Sequence, residues 1–387
     1  MCVAVLTFLA ASGAFTFGTP GSDTPVAARV LENGTLAVVV QTYPPEGDMY
    51  YWLALVDPGN ETEMARDRLR TGLEDPAWTR GCGFTSDSTF AIEVASWETS
   101  QEFTQIQFYQ LTSRKPLHIF EIPSTSGTME DSQLNVFHPL PGIEGSFLTT
   151  DIYGESENVA QKHLVRLDGE GDTLWVSDMP FQGWWMNPDV VRPMPGGGVA
   201  TTSDEDGFSP ILAVNRYSGG GDLLWSAEVD TEGEMLHSAH DILPAPNGGT
   251  LLVASTDMFR LNYHLLAVIF DENGEVLNET VESHEGNLQC LCGLTLPEGD
   301  FLLAGGSQPC GEGSTAMARA MAPTLVRLDS RGNVLGIEVL ESPAYNAAVR
   351  IILRDGEDFL LLGSCSGNGN DYSTNLFVQE IDRTDLP

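Results

Sequence analysis

One motif returns down the chain, and a repeat of this kind constrains the fold more than any single residue does. Its clearest copy is Leu164-Val-Arg-Leu-Asp168-Gly-Glu-Gly171-Asp-Thr-Leu-Trp175, which comes back as Leu212-Ala-Val-Asn-Arg-Tyr-Ser218-Gly-Gly-Gly221-Asp-Leu-Leu-Trp225. Further copies begin at Ala267 (AVIFDENGEVL) and Leu325 (LVRLDSRGNVL), and a partial one runs from Leu376 to Asp382. Each copy is an alternating apolar strand, a tight D-x-x-G turn and a second short apolar strand, the pattern of a β-hairpin. The Asp caps the turn and the Gly supplies a positive φ. Acidic loops are also where calcium binds, but the turn explains both residues without a metal, so no cofactor is assigned and calcium is the secondary expectation.

A second Gly-bearing hairpin precedes each of these, at 191–199, 242–253, 294–303 and 351–361, with earlier copies at 136–148 and 30–40. A degenerate copy at 82–94 has its turn at Ser86-Asp87-Ser88. Aligning the hairpin ends at Asp57, Thr112, Asp168, Ser218, Asp271, Asp329 and Asp382 counts seven repeats. Two hairpins make a four-stranded sheet, and such sheets arrayed about an axis make a β-propeller. The sequence therefore predicts an all-β, seven-bladed propeller of four-stranded antiparallel blades. The last repeat stops after three strands, and Phe15-Thr-Phe17 stands where a fourth is needed, so the N-terminal strand is expected to close the last blade. Residues 15–387 are read as one domain. Only 63–72 and 315–321 are expected to be helical.

Charge narrows the partners. Against 55 acidic residues stand 18 basic ones, of which only Lys115 and Lys162 are lysine, and the formal charge is −37. Such a field repels phosphate backbones and anionic lipid heads, which argues against nucleic acid and membrane surfaces. Residues 1–14 (MCVAVLTFLAASGA) form an apolar run with Ser12 and Ala14 where a signal peptidase accepts small residues. They read as a secretory signal without its cationic start, and the mature chain is expected to be a secreted, periplasmic or cell-surface monomer. No later apolar run reaches the roughly 18 residues that span a bilayer.

Removing Cys2 with the signal leaves Cys82, Cys290, Cys292, Cys310 and Cys365, an odd number. Cys290 and Cys310 flank the turn at Pro297-Glu298-Gly299 on strands expected to be antiparallel, close enough for a disulfide. Zinc competes for Cys290-Leu-Cys292, whose thiols a regular strand would point to one face, but a second pair is missing.

The Gly-rich hairpin followed by L-x-x-L-D-x-x-G-x-x-x-W resembles the PQQ-like propeller repeats of bacterial quinoprotein dehydrogenases and of non-enzymatic assembly scaffolds. The resemblance implies a Trp docked between blades, a place held here by Trp175 and Trp225 and then by Asn278 and Gly336. It also implies, for the enzymes, eight blades and a disulfide between adjacent cysteines, neither of which this sequence offers. It therefore speaks for the fold and for the non-enzymatic branch without a quinone site. The sialidase Asp-box is a poorer comparison, because Ser203-Asp-Glu205-Asp-Gly207-Phe208 has Glu where that motif needs Asp.

If the first strand of each blade lines the channel, the loops entering it share a face with the loops between second and third strands. Ligand candidates on that face are Trp184, Trp185, Asn187, Asp189, His237, His240, Asp241 and Arg350. Exposed Trp rings stack on sugars or peptides, although they also fill the space between blades. The segment His237 to Asp241 has metal-ligand and acid–base residue types at short spacing, yet on a strand His237 and His240 face opposite ways unless a bulge intervenes. No nucleophile elbow, phosphate loop or H-E-x-x-H motif is present. The expected function is an exported binding or scaffolding module for a protein or glycan. The alternative is a glycoside hydrolase or lyase using carboxylates or His240 at the channel mouth.

Overall fold

A computed structural model describes residues 14–71, 76–78, 81–86, 88–96, 103–122, 135–139, 146–153, 160–168, 173–182, 190–204, 211–230, 238–256, 263–283, 286–309, 321–344, 346–366 and 374–387. Apart from short 3₁₀ turns, these residues form antiparallel strands. The described residues open with β1 (Ala14–Phe17) and a first sheet of β2 (Ser22–Val30), β3 (Leu36–Tyr43), β4 (Tyr50–Asp57) and β5 (Thr62–Arg68). The second sheet holds β6 (Pro76–Trp78), β7 (Cys82–Phe84), β8 (Thr89–Ser96), β9 (Phe103–Gln110) and β10 (His118–Ile122). The third holds β11 (Asn135–Pro139), β12 (Ser146–Tyr153), β13 (Ala160–Leu167) and β14 (Thr173–Gln182). The fourth holds β15 (Val191–Pro193), β16 (Val199–Asp204), β17 (Ile211–Tyr217) and β18 (Leu223–Asp230).

Next come β19 (Ser238–Pro244), β20 (Thr250–Thr256), β21 (His264–Phe270) and β22 (Val276–Glu282), then β23 (Gly286–Thr295), β24 (Phe301–Pro309), β25 (Ala322–Leu328) and β26 (Val334–Val339). The last strands are β27 (Asn346–Asp355), β28 (Asp358–Ser366) and β29 (Asn375–Ile381), and β1 pairs with β29 to complete their sheet, Phe15 opposite Val378. First strands of successive sheets lie against one another: β27 on β2, β2 on β7, β7 on β11, β15 on β19, β19 on β23 and β23 on β27. This is the radial arrangement of a propeller.

The expectation of seven four-stranded blades is corrected to six. Six sheets are four-stranded, whereas residues 76–122 form a five-stranded sheet in which β6 and β7 both pair with β8. Pro76 cannot donate to a ladder, and the register slips between Pro76 and Trp78, so the strand beside β8 is broken into two short pieces. The turn of that degenerate copy has no glycine; Ser86 Oγ holds it by accepting from the amides of Ser88 (3.2 Å) and Thr89 (3.1 Å).

A second correction concerns residues 63–72. Their charged spacing suggested a helix, but Thr62–Arg68 is the outer strand β5, mostly exposed. Charge on an edge strand blocks pairing with other chains, and Arg66 forks onto Glu63 at 2.6 Å while its guanidinium lies over the Trp52 ring. Residues 310–320, covering most of the other expected helix, lie outside the described residues.

Middle strands are buried on both faces and read as continuous apolar runs, TLLVAST in β20 and HLLAVIF in β21 among them. The core is a series of layers between neighbouring sheets: Leu251, Val253 and Leu265 pack with Leu303 and Val326, and Leu302 and Leu325 pack with Leu361 and Phe377. The D-x-x-G turns seal the rim. Asp271 accepts from the amides of Asn273 (2.8 Å) and Glu275 (2.9 Å), and Gly274 takes φ +86°. The Trp225 ring lies so close to Gly274 that an added Cβ would meet it at 2.7 Å, and Trp175 sits in the same way on Gly221. Where the Trp is missing, the Asn278 amide donates to Arg331 O at 2.9 Å, and Gly336 is covered by Pro387.

The N-terminal segment is held by more than its ladder. Asp23 is fully buried and accepts from the Thr19 amide (2.5 Å), Thr19 Oγ1 (2.8 Å) and Thr42 Oγ1 (2.5 Å). Its amide donates to Thr374 O at 3.0 Å, tying β2 to the approach to β29.

Candidate functional site

Arg192, His240, Asp241 and Arg350 stand on the first strands of three blades, β15, β19 and β27. A backbone irregularity sets them there. In β19 the register jumps from Ala239–Ala254 to Asp241–Val253, leaving His240 as the extra residue of a bulge. The same jump occurs at Val26 in β2 and Leu291 in β23, opposite the fourth and fifth residues of the second strand, and at Arg350 in β27, opposite the fifth and sixth of the longer β28. Bulges re-aim side chains, and here they shift one position at one level in four blades. Two glycines mark them: a Cβ on Gly305 would lie 1.9 Å from Gln289 O, and one on Gly363 would lie 2.2 Å from Ala348 O.

Asp241 is the best-connected residue of the group. Its carboxylate has no exposed surface and accepts four hydrogen bonds, from Arg192 Nε (2.6 Å) and Nη2 (2.8 Å), the Ile242 amide (2.8 Å) and the Gly293 amide (2.9 Å). One side chain thus joins β15, β19 and β23. The Arg192 side chain keeps 45% of its surface while being otherwise walled by protein, and the Asp241 charge raises its affinity for its proton. A buried, bidentate, fully satisfied carboxylate is a structural staple, with no lone pair left to move a proton.

His240 sits beside it with Nε2 2.7 Å from Ser255 Oγ. Burial, with a smaller contribution from the positive charge of Arg350, pushes its pKa down to about 4, so the imidazole is neutral near pH 7. Arg350 is solvent-exposed by surface area, and burial of its surroundings lowers its pKa. Among the described residues it has no hydrogen-bond or ion-pair partner.

The two cysteines of the C-L-C segment part company at the Leu291 bulge. Cys290 packs with Leu243, Val253 and Leu288, and Cys292 with Leu325, Val349 and Phe377, on the other side of β23. The expectation that a strand would point both thiols to one face is corrected by this register shift. Cys82, Cys290, Cys292 and Cys365 carry free thiols, so Cys290 is not in the disulfide expected with Cys310, a residue outside those described. Burial pushes Cys290 and Cys365 up to about 12 and Cys292 well above its ordinary value, which makes all three inert thiols at neutral pH.

Of the residues singled out in the sequence, the structure brings together His240, Asp241 and Arg350. Trp184, Trp185, Asn187, Asp189 and His237 lie outside the described residues. Arg192 was missed, because its partner is in the next blade and the only signal was an Arg in an otherwise apolar first strand.

No protein-family model and no curated protein matches the chain. Solved structures do. The Kuenenia stuttgartiensis hydrazine synthase aligns over 96% of this chain and 98% of its own, with TM-score 0.51 and 10% identity. The chain is a β-propeller. The Galerina marginata prolyl oligopeptidase B matches over 95% of the chain with TM-score 0.51 and 12% identity, and the Pyrococcus horikoshii acylaminoacyl peptidase over 96% with TM-score 0.50 and 12% identity. The propeller spans about half of each of these two, 50% and 52%. At such identities the likeness is one of fold alone.

Proposed function

We propose that this propeller is an exported binding or scaffolding module that holds a protein or glycan at the face where loops enter the first strands. The observation that carries this reading is the state of Asp241. The acid–base pair that the sequence offered to an enzyme consists of a carboxylate bonded to four donors and a histidine kept neutral beside it. Catalytic carboxylates need a free lone pair and a pKa tuned to the working pH. Asp241 spends its lone pairs on three blades. Trp184 and Trp185, just ahead of β15 in the sequence, are the rings this reading assigns to stacking on the sugar or peptide.

The test is thermal unfolding of the chain with a panel of neutral oligosaccharides, run beside product analysis of the corresponding polysaccharides. A ligand that binds only the folded state raises the midpoint. The expected result is a rise with a glycan or peptide that W184A/W185A abolishes, and no cleavage. Turnover of a polysaccharide that requires His240 or a carboxylate would overturn the reading in favour of a glycoside hydrolase or lyase.

A further inference from the structure

We infer that Arg350, with His240 at the same level two blades away, forms a receptor for a carboxylate group inside the propeller. The inference rests on the binding-module reading and names the chemistry of what is bound.

Arg350, like Arg216, has no acidic partner among the described residues, but Arg350 also keeps an exposed surface. With 55 acidic residues against 18 basic ones, a guanidinium has abundant partners, and several arginines use them: Arg66 takes Glu63, Arg114 takes Asp67, Arg192 takes Asp241, Arg327 takes Asp300 and Arg383 takes Glu298 and Glu357. Arg350 has none, although protein packed around it lowers its pKa while part of its surface stays open to water. A charge taken partly from water without a partner costs free energy, and that cost is recovered when an anion arrives.

The surroundings leave its charge uncancelled. Asp241 is neutralised by Arg192, the Cys290 and Cys292 thiols hold their protons, and His240 is neutral. The local sum is one positive charge inside a molecule of formal charge −37. Arg350 acts electrostatically on both His240 and Cys292, so the three share one neighbourhood. A guanidinium presents a planar fork that fits the two oxygens of a carboxylate. The imidazole at the matching bulge supplies a second nitrogen contact and gains a proton more readily once an anion lies beside it. Solvent already reaches Arg350, which gives a ligand its way in.

The experiment uses the full chain in carboxylate-free buffer with D-glucuronate, acetate and D-glucose. Glucuronate is expected to raise the unfolding midpoint and to bind in calorimetry with Kd of about 1–10 mM, the range of one strong polar anchor. Arg350→Gln is expected to weaken binding by about tenfold or more. Glucose, which lacks the anion, is expected to leave the midpoint unchanged. Acetate matching glucuronate assigns the whole affinity to the carboxylate; glucuronate exceeding acetate adds a sugar contact to the same site. A second readout on the unaltered chain covers failure of the variant to fold: the His240 ring resonances should titrate at higher pH when glucuronate is bound. Absence of any carboxylate effect on midpoint and His240 titration, or equal binding by R350Q, overturns the site. Binding of neutral glycans with no carboxylate effect would reject the receptor while leaving the module reading standing.

Discussion

If Asp241 is a staple across three blades, its two ends should fail unequally. Arg192→Met removes both guanidinium donors and leaves a carboxylate with no exposed surface and only the Ile242 and Gly293 amides. Breaking a buried pair so that a charge stays behind costs about 3–5 kcal/mol. Asp241→Asn leaves the charge on Arg192, whose side chain keeps 45% of its surface and can turn to water. The Asn carbonyl still accepts from one side, and the residual penalty is the Gly293 amide, now facing an NH₂ group, worth about 1–3 kcal/mol. R192M should therefore be the worse of the two by about 2 kcal/mol. The double variant should fall short of the sum by at least about 1 kcal/mol, because neither charge remains to be stranded. Equilibrium urea unfolding at neutral pH measures all three. Equal costs for the single variants, or strict additivity, would mean that the four contacts do not act as one unit, and the case against catalysis by Asp241 would lose its footing.

Two further outcomes follow from the same geometry. His240 is a base whose folded pKa is depressed from 6.5 to about 4, so the unfolded chain binds the extra proton between these values and stability falls as pH drops through that window. The loss attributable to His240 is about 2 kcal/mol at pH 5 relative to pH 8; His240→Gln should flatten the pH dependence by that amount in carboxylate-free buffer, and parallel curves for the two proteins would refute the assignment. Gly34 and Gly274 both take positive φ, +79° and +86°, but only Gly274 lies under a Trp ring. Gly34→Ala should cost about 1 kcal/mol of backbone strain, and Gly274→Ala should cost about 2 kcal/mol more through the clash with Trp225; similar melting temperatures for the two would show that the ring gives way freely.

The hairpins were legible because their turns need particular residues: Asp271 and Gly274 declare a turn whatever surrounds them, and the apolar runs between such turns declare strands buried on both faces. The sheet at 76–122 was less legible because its turn uses serines and because Pro76 interrupts a strand that the repeat count assumes to be whole. β5 was misread for a related reason. Its charge protects an exposed edge, and charge at mixed spacing carries no period that separates an edge strand from a solvated helix.

The site itself was hidden by phase. Aligning repeats on their hairpin ends sets Asp168, Asp271 and Asp329 in one column and says nothing of the first strands, where an extra residue displaces everything before it. Aligning instead on the register shift of each first strand sets Val26, His240, Leu291 and Arg350 in one column, each the bulged residue of its strand. Two members of that column are apolar, as packing around an axis favours, and two are polar. A departure from the repeat's own rule costs stability at its position and persists where something other than packing uses it. By that argument Arg350 and His240 are where this propeller departs from scaffold, and Asp241, one step along the strand and bonded on every side, is part of what keeps the scaffold rigid around them.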